Sequence, residues 1–114
     1  SDLVEEKILR FFEKVLELNG EENSFIDFYY QRLSDEDKNR LKEFLTAEDG
    51  EVLKLAEAEL KDNGVYFRLS KEIMPFILRL STKEVLFSTF YFTKVPCTIW
   101  GNYNMELPLS FITL

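Results

Sequence analysis

The chain has 114 residues, of which 46% are hydrophobic and 15% aromatic, and its formal net charge is −7. This length and apolar content predict a single domain, residues 1–114, and exclude two domains with separate cores. Clustered lysine and arginine, on which phosphate binding depends, are missing, so we expect no nucleic-acid partner. The absence of histidine excludes catalysis by a histidine base and metal sites built from histidine.

The chain has no apolar run of about 18 residues, the length that a membrane helix needs. Its acidic beginning, SDLVEE, lacks the basic and then apolar segments of a secretory signal. The single cysteine, Cys97, cannot form an internal disulfide. We therefore expect a cytoplasmic protein that has no membrane partner.

Charge divides the chain into two parts. Residues 1–63 hold 18 acidic and nine basic side chains, a net charge of −9, whereas residues 64–114 hold three acidic and five basic, a net charge of +2. Ten of the 17 aromatic residues also follow Gly64. No linker rich in proline or serine accompanies this shift, so we interpret it as a change of secondary structure within one domain.

The helical part is residues 1–63, and its first predicted helix covers residues 2–19, ended by Asn19-Gly20. Apolar residues recur there at helical spacing: Val4, Ile8, Phe11, Phe12, Val15, Leu16 and Leu18. Three later predicted helix starts share one capping pattern, in which a serine or threonine is followed three residues later by aspartate. These pairs are Ser24 with Asp27, Ser34 with Asp37, and Thr46 with Asp49. They predict a short helix up to residue 33 and two further helices.

The sheet part is residues 64–114, where apolar and polar residues alternate or β-branched and aromatic residues cluster. Strands are predicted at residues 65–70, 73–80, 84–93, 98–100 and 107–112, with short breaks typical of an antiparallel meander. Pro75 fits a central strand poorly, so residues 71–79 have a short helix as their alternative. The predicted fold class is α+β: a helical N-terminal half packed on a four- to five-stranded antiparallel sheet from the C-terminal half.

Residues 95–109 concentrate rare residue types, including Cys97 and the only tryptophan, Trp100. A hairpin that turns at residues 101–104 accounts for most of this stretch. Its functional alternatives are a nucleophilic Cys97 and a ligand platform formed by Trp100, Asn102 and Tyr103. Cys97 has no histidine to activate it, so we expect a packed thiol.

The predicted strand Val85–Phe92 is apolar on both faces, with Phe87 and Tyr91 on one of them. Helices can cover one face. The other face then needs another helix of the same chain, a ligand or another protein chain to bury it. The possible ligand or interface residues are Phe87, Tyr91, Trp100, Asn102 and Tyr103.

Acidic clusters such as Asp35-Glu36-Asp37 follow predicted helix starts, where carboxylates favour the helix dipole. We therefore predict no catalytic, cofactor-binding or metal-binding residues. The predicted function is a non-catalytic binding or regulatory module. Its predicted partner is another protein or a second copy of this chain, which would form a homodimer through an apolar sheet surface. The alternative is a small-molecule-binding domain with an aromatic-lined pocket between sheet and helices, or a carboxylate-dependent enzyme.

Overall fold

The structure, a computed structural model, describes residues 2–61, 64–100 and 105–106. Its four α-helices are α1 (Asp2–Asn19), α2 (Asp35–Lys42), α3 (Ala47–Glu59) and α4 (Met74–Thr82). Its five strands are β1 (Ser24–Asp27), β2 (Tyr66–Arg68), β3 (Phe90–Phe92), β4 (Cys97–Ile99) and β5 (Met105–Glu106). All neighbouring strands are antiparallel. The α+β class is confirmed, with helices mostly early and strands mostly late in the chain.

The strand order is β2-β1-β3-β4-β5, so β1 lies between β2 and β3. The prediction of a capped helix at residues 24–33 was wrong, because this segment begins with a strand and continues into a short 3₁₀ turn at Tyr30–Arg32. The Ser24 hydroxyl donates to the Gly20 carbonyl at 2.7 Å and caps no helix. Strand pairing on both sides of β1 overrides the local helix signal. The predicted meander holds only for β3, β4 and β5, since β1 separates β2 from β3.

Helix α4 begins at Met74, so the predicted strand at residues 73–80 was wrong and the alternative, a short helix within residues 71–79, is confirmed from residue 74 onward. Pro75 lies in the first turn of this helix, where its missing N–H is not needed. Six residues of α4 are buried: Met74, Phe76, Ile77, Leu78, Leu80 and Ser81. Because most of α4 is buried, its apolar residues form a short run that fits both a helix and a strand, and periodicity alone does not separate the two.

The predicted strand at residues 84–93 contains only the three residues of β3. Glu84, two residues after α4, has a left-handed backbone conformation with φ 57°. The N–H groups of Val85 and Leu86 then donate to the Leu80 carbonyl at 2.9 and 3.3 Å, so the chain folds back on the helix. The prediction that residues 85–92 form one strand with two apolar faces was therefore wrong. Val85 and Leu86 instead lie in a loop and pack on the core.

The predicted limits of α1 and the predicted starts of α2 and α3 are confirmed. Gly20, at φ 80°, follows the end of α1. The Ser34 hydroxyl accepts from the Asp37 N–H at 3.1 Å at the start of α2. Thr46 and Asp49 form a reciprocal capping box at the start of α3. These contacts span three residues, and for this reason they can be predicted locally.

The core lies between the helices and one face of the sheet. From the sheet, the core includes Ile26, Phe67, Phe90, Phe92 and Ile99. The Phe12 ring of α1 lies 4.6 Å from that of Phe90. Helix α1 thus buries its Phe12 and Leu16 side, and it leaves part of the predicted stripe, Val4, Phe11 and Leu18, exposed.

The predicted turn at residues 101–104 and the predicted strand at residues 107–112 lie outside the described residues. The described strand β5 lies between them and pairs with β4 through Thr98 opposite Glu106 and Ile99 opposite Met105.

Candidate functional site

Side chains alternate between the two faces of the sheet, and the face turned away from the core is the candidate site. We call this surface the outer face. Its register places Phe25 opposite both Arg68 and Tyr91, and Asp27 opposite Tyr66. Its residues are Phe25 and Asp27 of β1, Tyr66 and Arg68 of β2, Tyr91 of β3, Thr98 of β4, and Trp100 just beyond β4.

The outer face is aromatic and open. Tyr66 is 59% exposed and Trp100 is 45% exposed, whereas Phe25 and Tyr91 are half-buried. Tyr29, two residues beyond β1, is exposed as well. The sheet residues of the hydrophobic core all lie on the opposite face. The helices therefore bury one face of the sheet and leave these rings accessible.

Asp27 is a carboxylate on this face that is only 6% exposed. Its Oδ1 accepts from the Thr89 N–H at 2.9 Å, and its Oδ2 accepts from the Tyr91 hydroxyl at 3.3 Å. The Asp27 N–H donates in turn to the Thr89 carbonyl at 3.1 Å. Burial raises the pKa of Asp27, since a low-dielectric environment disfavours the charged form.

The tyrosines of the site contact one another and this carboxylate. The rings of Tyr66 and Tyr91 meet edge to face, with centroids 6.0 Å apart and an interplanar angle of 62°. Burial, followed by the charge of Asp27, raises the pKa of Tyr91. The charge of Tyr66 is the main cause that raises the pKa of Tyr29. Tyrosine hydroxyls are uncharged at neutral pH at their ordinary pKa of 10.0, and both shifts move the pKa further from neutral.

In this arrangement the Asp27 carboxylate positions neighbouring groups. Both oxygens of Asp27 accept hydrogen bonds, one from the Thr89 N–H and one from the Tyr91 hydroxyl, and these bonds fix both groups. A carboxylate with a raised pKa can mark an acid or base catalyst, but a structural hydrogen-bond network perturbs a pKa in the same way. The described geometry therefore favours a rigid binding surface over a reactive centre.

The sequence-predicted site residues are only partly brought together. Tyr91 and Trp100 share the outer face. Phe87 is 48% exposed, but it lies in the loop before β3 and not on a strand. Asn102 and Tyr103 lie outside the described residues. Cys97 packs partly against the core, and burial raises the pKa of its thiol.

Sequence reasoning missed Asp27, Tyr66 and Tyr29. Asp27 was assigned to a helix start, where an aspartate is common. The available signal was a single acid between Phe25-Ile26 and Phe28, in a segment rich in the aromatic and β-branched residues that strands favour.

In the part of the chain that the structure describes, no three histidine, cysteine or acidic side chains are grouped so that they could hold a metal ion. No helix among the same residues is long and apolar enough to cross a membrane. Comparisons with protein-family models, curated proteins and solved structures find no match to this chain.

Proposed function

We propose that this protein is a non-catalytic association module, and that two copies bind each other through the outer face. The observation that carries the proposal is the open aromatic surface around Tyr66, Tyr91 and Trp100, which the helices leave exposed. Exposed aromatic clusters are typical centres of protein interfaces. The unpaired cysteine and acidic composition support a place in the reducing cytoplasm.

Charge favours a second copy as the occupant. Two chains with a net charge of −7 repel each other over most of their surfaces. On the outer face of strands β1 to β4 the charged groups are Arg68 and the largely buried Asp27, so this part of the surface has no excess of like charge. The register places one further charged residue, Glu106 of β5, opposite Thr98. The first turns of α2 and α3, in contrast, present several carboxylates. The outer face is thus where two identical acidic chains can approach at low electrostatic cost.

The size of the aromatic surface sets the strength of this dimer. A large aromatic side chain offers about 150–250 Å² of surface. The exposed fractions of Tyr29, Tyr66 and Trp100 together leave roughly 300 Å² for contact. A stable interface buries about 800 Å² on each partner, so the aromatic centre requires a polar rim around it. We expect a reversible dimer with a dissociation constant in the micromolar range or above.

Sedimentation velocity from low micromolar to near-millimolar concentration tests this proposal. We expect the weight-average sedimentation coefficient to rise with concentration for the natural chain. Tyr66→Glu and Trp100→Glu should each keep the chain monomeric, because both place new charge at the centre of the outer face.

Leu18→Glu is the matched control, since Leu18 is 59% exposed on α1, the helix that packs through Phe12 on the core side of the sheet. It should associate like the natural chain. A monomer at every concentration contradicts the proposal. Loss of association in the Leu18 variant alone would move the interface to α1 and contradict it equally.

The alternative of a small-molecule pocket between sheet and helices receives less support. Phe12, Phe28 and Phe90 fill that space as part of the core, and each is at most 1% exposed. The Phe28 ring contacts those of Phe67 and Phe76 at centroid distances of 6.1 and 6.4 Å. This packing favours an association module over a ligand-binding cavity.

A further inference from the structure

A groove of about 400 Å³ runs between α3 and α4, on the helical side of the molecule. Its apolar floor includes Val52, Leu55 and Pro75, and its rim includes Glu48, Glu51 and Glu72. We call this surface the acidic groove. Leu55 is 42% exposed, so the floor presents apolar surface to solvent.

A second groove, of about 330 Å³, lies on the other side of α4, against α1. Glu5 and Glu6 line it together with Ile8 and Leu9. Pro75 and Arg79 line both grooves, so α4 forms a low ridge between two depressions of the same character. In this second groove Glu5 is ion-paired with Lys83, and Glu6 is the further acidic residue beside the apolar floor.

The negative charge of the acidic groove exceeds what its own cations neutralise. Arg79 is ion-paired with Asp49, which also serves the capping box of α3. Lys54 lies 3.4 Å from Glu51, in an exposed pair that is worth little in water. Within the described part of the chain, Glu48 and Glu72 have no ion-pair partner.

Helix capping explains part of this pattern but not all of it. A carboxylate in the first turn of α3, such as Glu48, is favoured by the helix dipole. Glu72 belongs to a different segment and precedes α4, yet it lines the same groove. Two separate elements thus direct acidic side chains to the border of one apolar floor.

We propose that the acidic groove binds a basic amphipathic helical segment of another protein. The apolar side chains of that segment pack on Val52, Leu55 and Pro75, and its lysine or arginine side chains lie against the glutamates of the rim. Opposite charges on the two surfaces accelerate the encounter and fix the orientation of the helix. This binding goes beyond the proposed self-association, because it uses the helical side of the molecule and leaves the outer face free.

The probe is a fluorescently labelled synthetic amphipathic helix of about 18 residues, built from leucine and lysine. Fluorescence anisotropy should show micromolar binding that weakens as the salt concentration rises. A peptide of the same pattern with glutamate in place of lysine should not bind. Absence of binding by the lysine peptide overturns the proposal.

Matched variants locate the site. Glu48→Gln with Glu72→Gln should lower the affinity for the lysine peptide by about tenfold. Leu55→Ala should lower it about fivefold, since it removes floor contacts. Glu17→Gln with Glu22→Gln makes the same change of charge at exposed positions away from both grooves and should leave the affinity within about twofold.

An equal loss of affinity in the two paired variants would mean that the peptide senses only net charge, and this result overturns the proposal. An unchanged affinity in Leu55→Ala overturns it as well, because the floor would then take no part in binding. The Tyr66→Glu monomer should bind the lysine peptide like the natural chain, which separates this site from the outer face.

Discussion

Asp27 links its own strand, β1, to β3 and to the loop just before β3. Its carboxylate bonds the backbone of Thr89 and the hydroxyl of Tyr91, while its own strand pairs with β2 and β3. Burial of this carboxylate raises the pKa of Asp27 above the ordinary value of 3.8. The ionised form of Asp27 is therefore less favourable in the folded chain than in the unfolded chain.

This shift predicts a pH dependence of stability. With a raised pKa, the folded chain binds more protons than the unfolded chain, so the contribution of Asp27 to stability is fully present below pH 3.8 and is lost as pH rises through the raised pKa. Asp27→Asn keeps an acceptor for Thr89 and removes the charge. Urea denaturation should show that this variant gains stability relative to the natural chain as pH increases from below 3.8 to neutral.

Two further variants control this prediction. Glu17→Gln, at an exposed position of α1, should not reproduce that trend. Asp27→Ala leaves the Thr89 N–H without its acceptor and should lower the free energy of unfolding by about 1 kcal/mol or more. A stability difference between Asp27→Asn and the natural chain that stays constant with pH would contradict the raised pKa.

At the scale of elements, Asn19 connects the end of α1 to the turn between β3 and β4. Its side chain is 1% exposed, and its Nδ2 donates to the Val15 carbonyl at 2.9 Å. Its Oδ1 accepts from the N–H groups of Lys94 and Val95 at 3.0 and 2.7 Å. One side chain thus satisfies the helix end and two amides of a turn about 75 residues away.

Asn19→Ala should lower the free energy of unfolding by about 2–3 kcal/mol, because it leaves the N–H groups of Lys94 and Val95 without their acceptor and removes a buried side chain. Chemical denaturation measures this loss. Asn39→Ala, at an exposed position of α2, is the control and should change stability by less than about 0.5 kcal/mol. If the two variants are equally stable, the turn does not depend on Asn19.

At the scale of the whole molecule, the net charge of −7 opposes the compact state. Most described ion pairs join exposed side chains close in sequence, such as Arg40 with Glu36 and Lys54 with Glu51. Such pairs contribute little to stability in water. Repulsion among the carboxylates of residues 1–63 therefore dominates the electrostatics of the fold.

Added sodium chloride should accordingly raise the urea midpoint, because salt screens this repulsion. The gain should be smaller for Glu17→Lys with Glu22→Lys, because this variant replaces two negative charges by two positive ones and so reduces the net negative charge. A midpoint that falls with salt would show instead that attractive pairs, above all the partly buried Arg79 with Asp49, outweigh the net repulsion.

The sequence by itself determined the α+β class, the limits of α1 and the starts of α2 and α3. These features depend on hydrogen bonds within three or four residues, such as Thr46 with Asp49, and on the conformational freedom of Gly20. Residue types at short spacing are sufficient to predict them. The same reasoning selected Tyr91 and Trp100 from their aromatic character, and both lie on the outer face.

Only the tertiary structure decided that Ser24–Asp27 is a strand, that Met74–Thr82 is a helix and that β3 is short. Strand β1 exists because β2 and β3 pair with it from distant parts of the chain, against its local helix signal. Helix α4 is buried on most sides, so its short apolar run fits a strand as well as a helix, and the packing of the fold selects the helix. Asp27 entered the candidate site only through partners 62 and 64 residues away, and contacts at that separation are set by the packing of the folded chain.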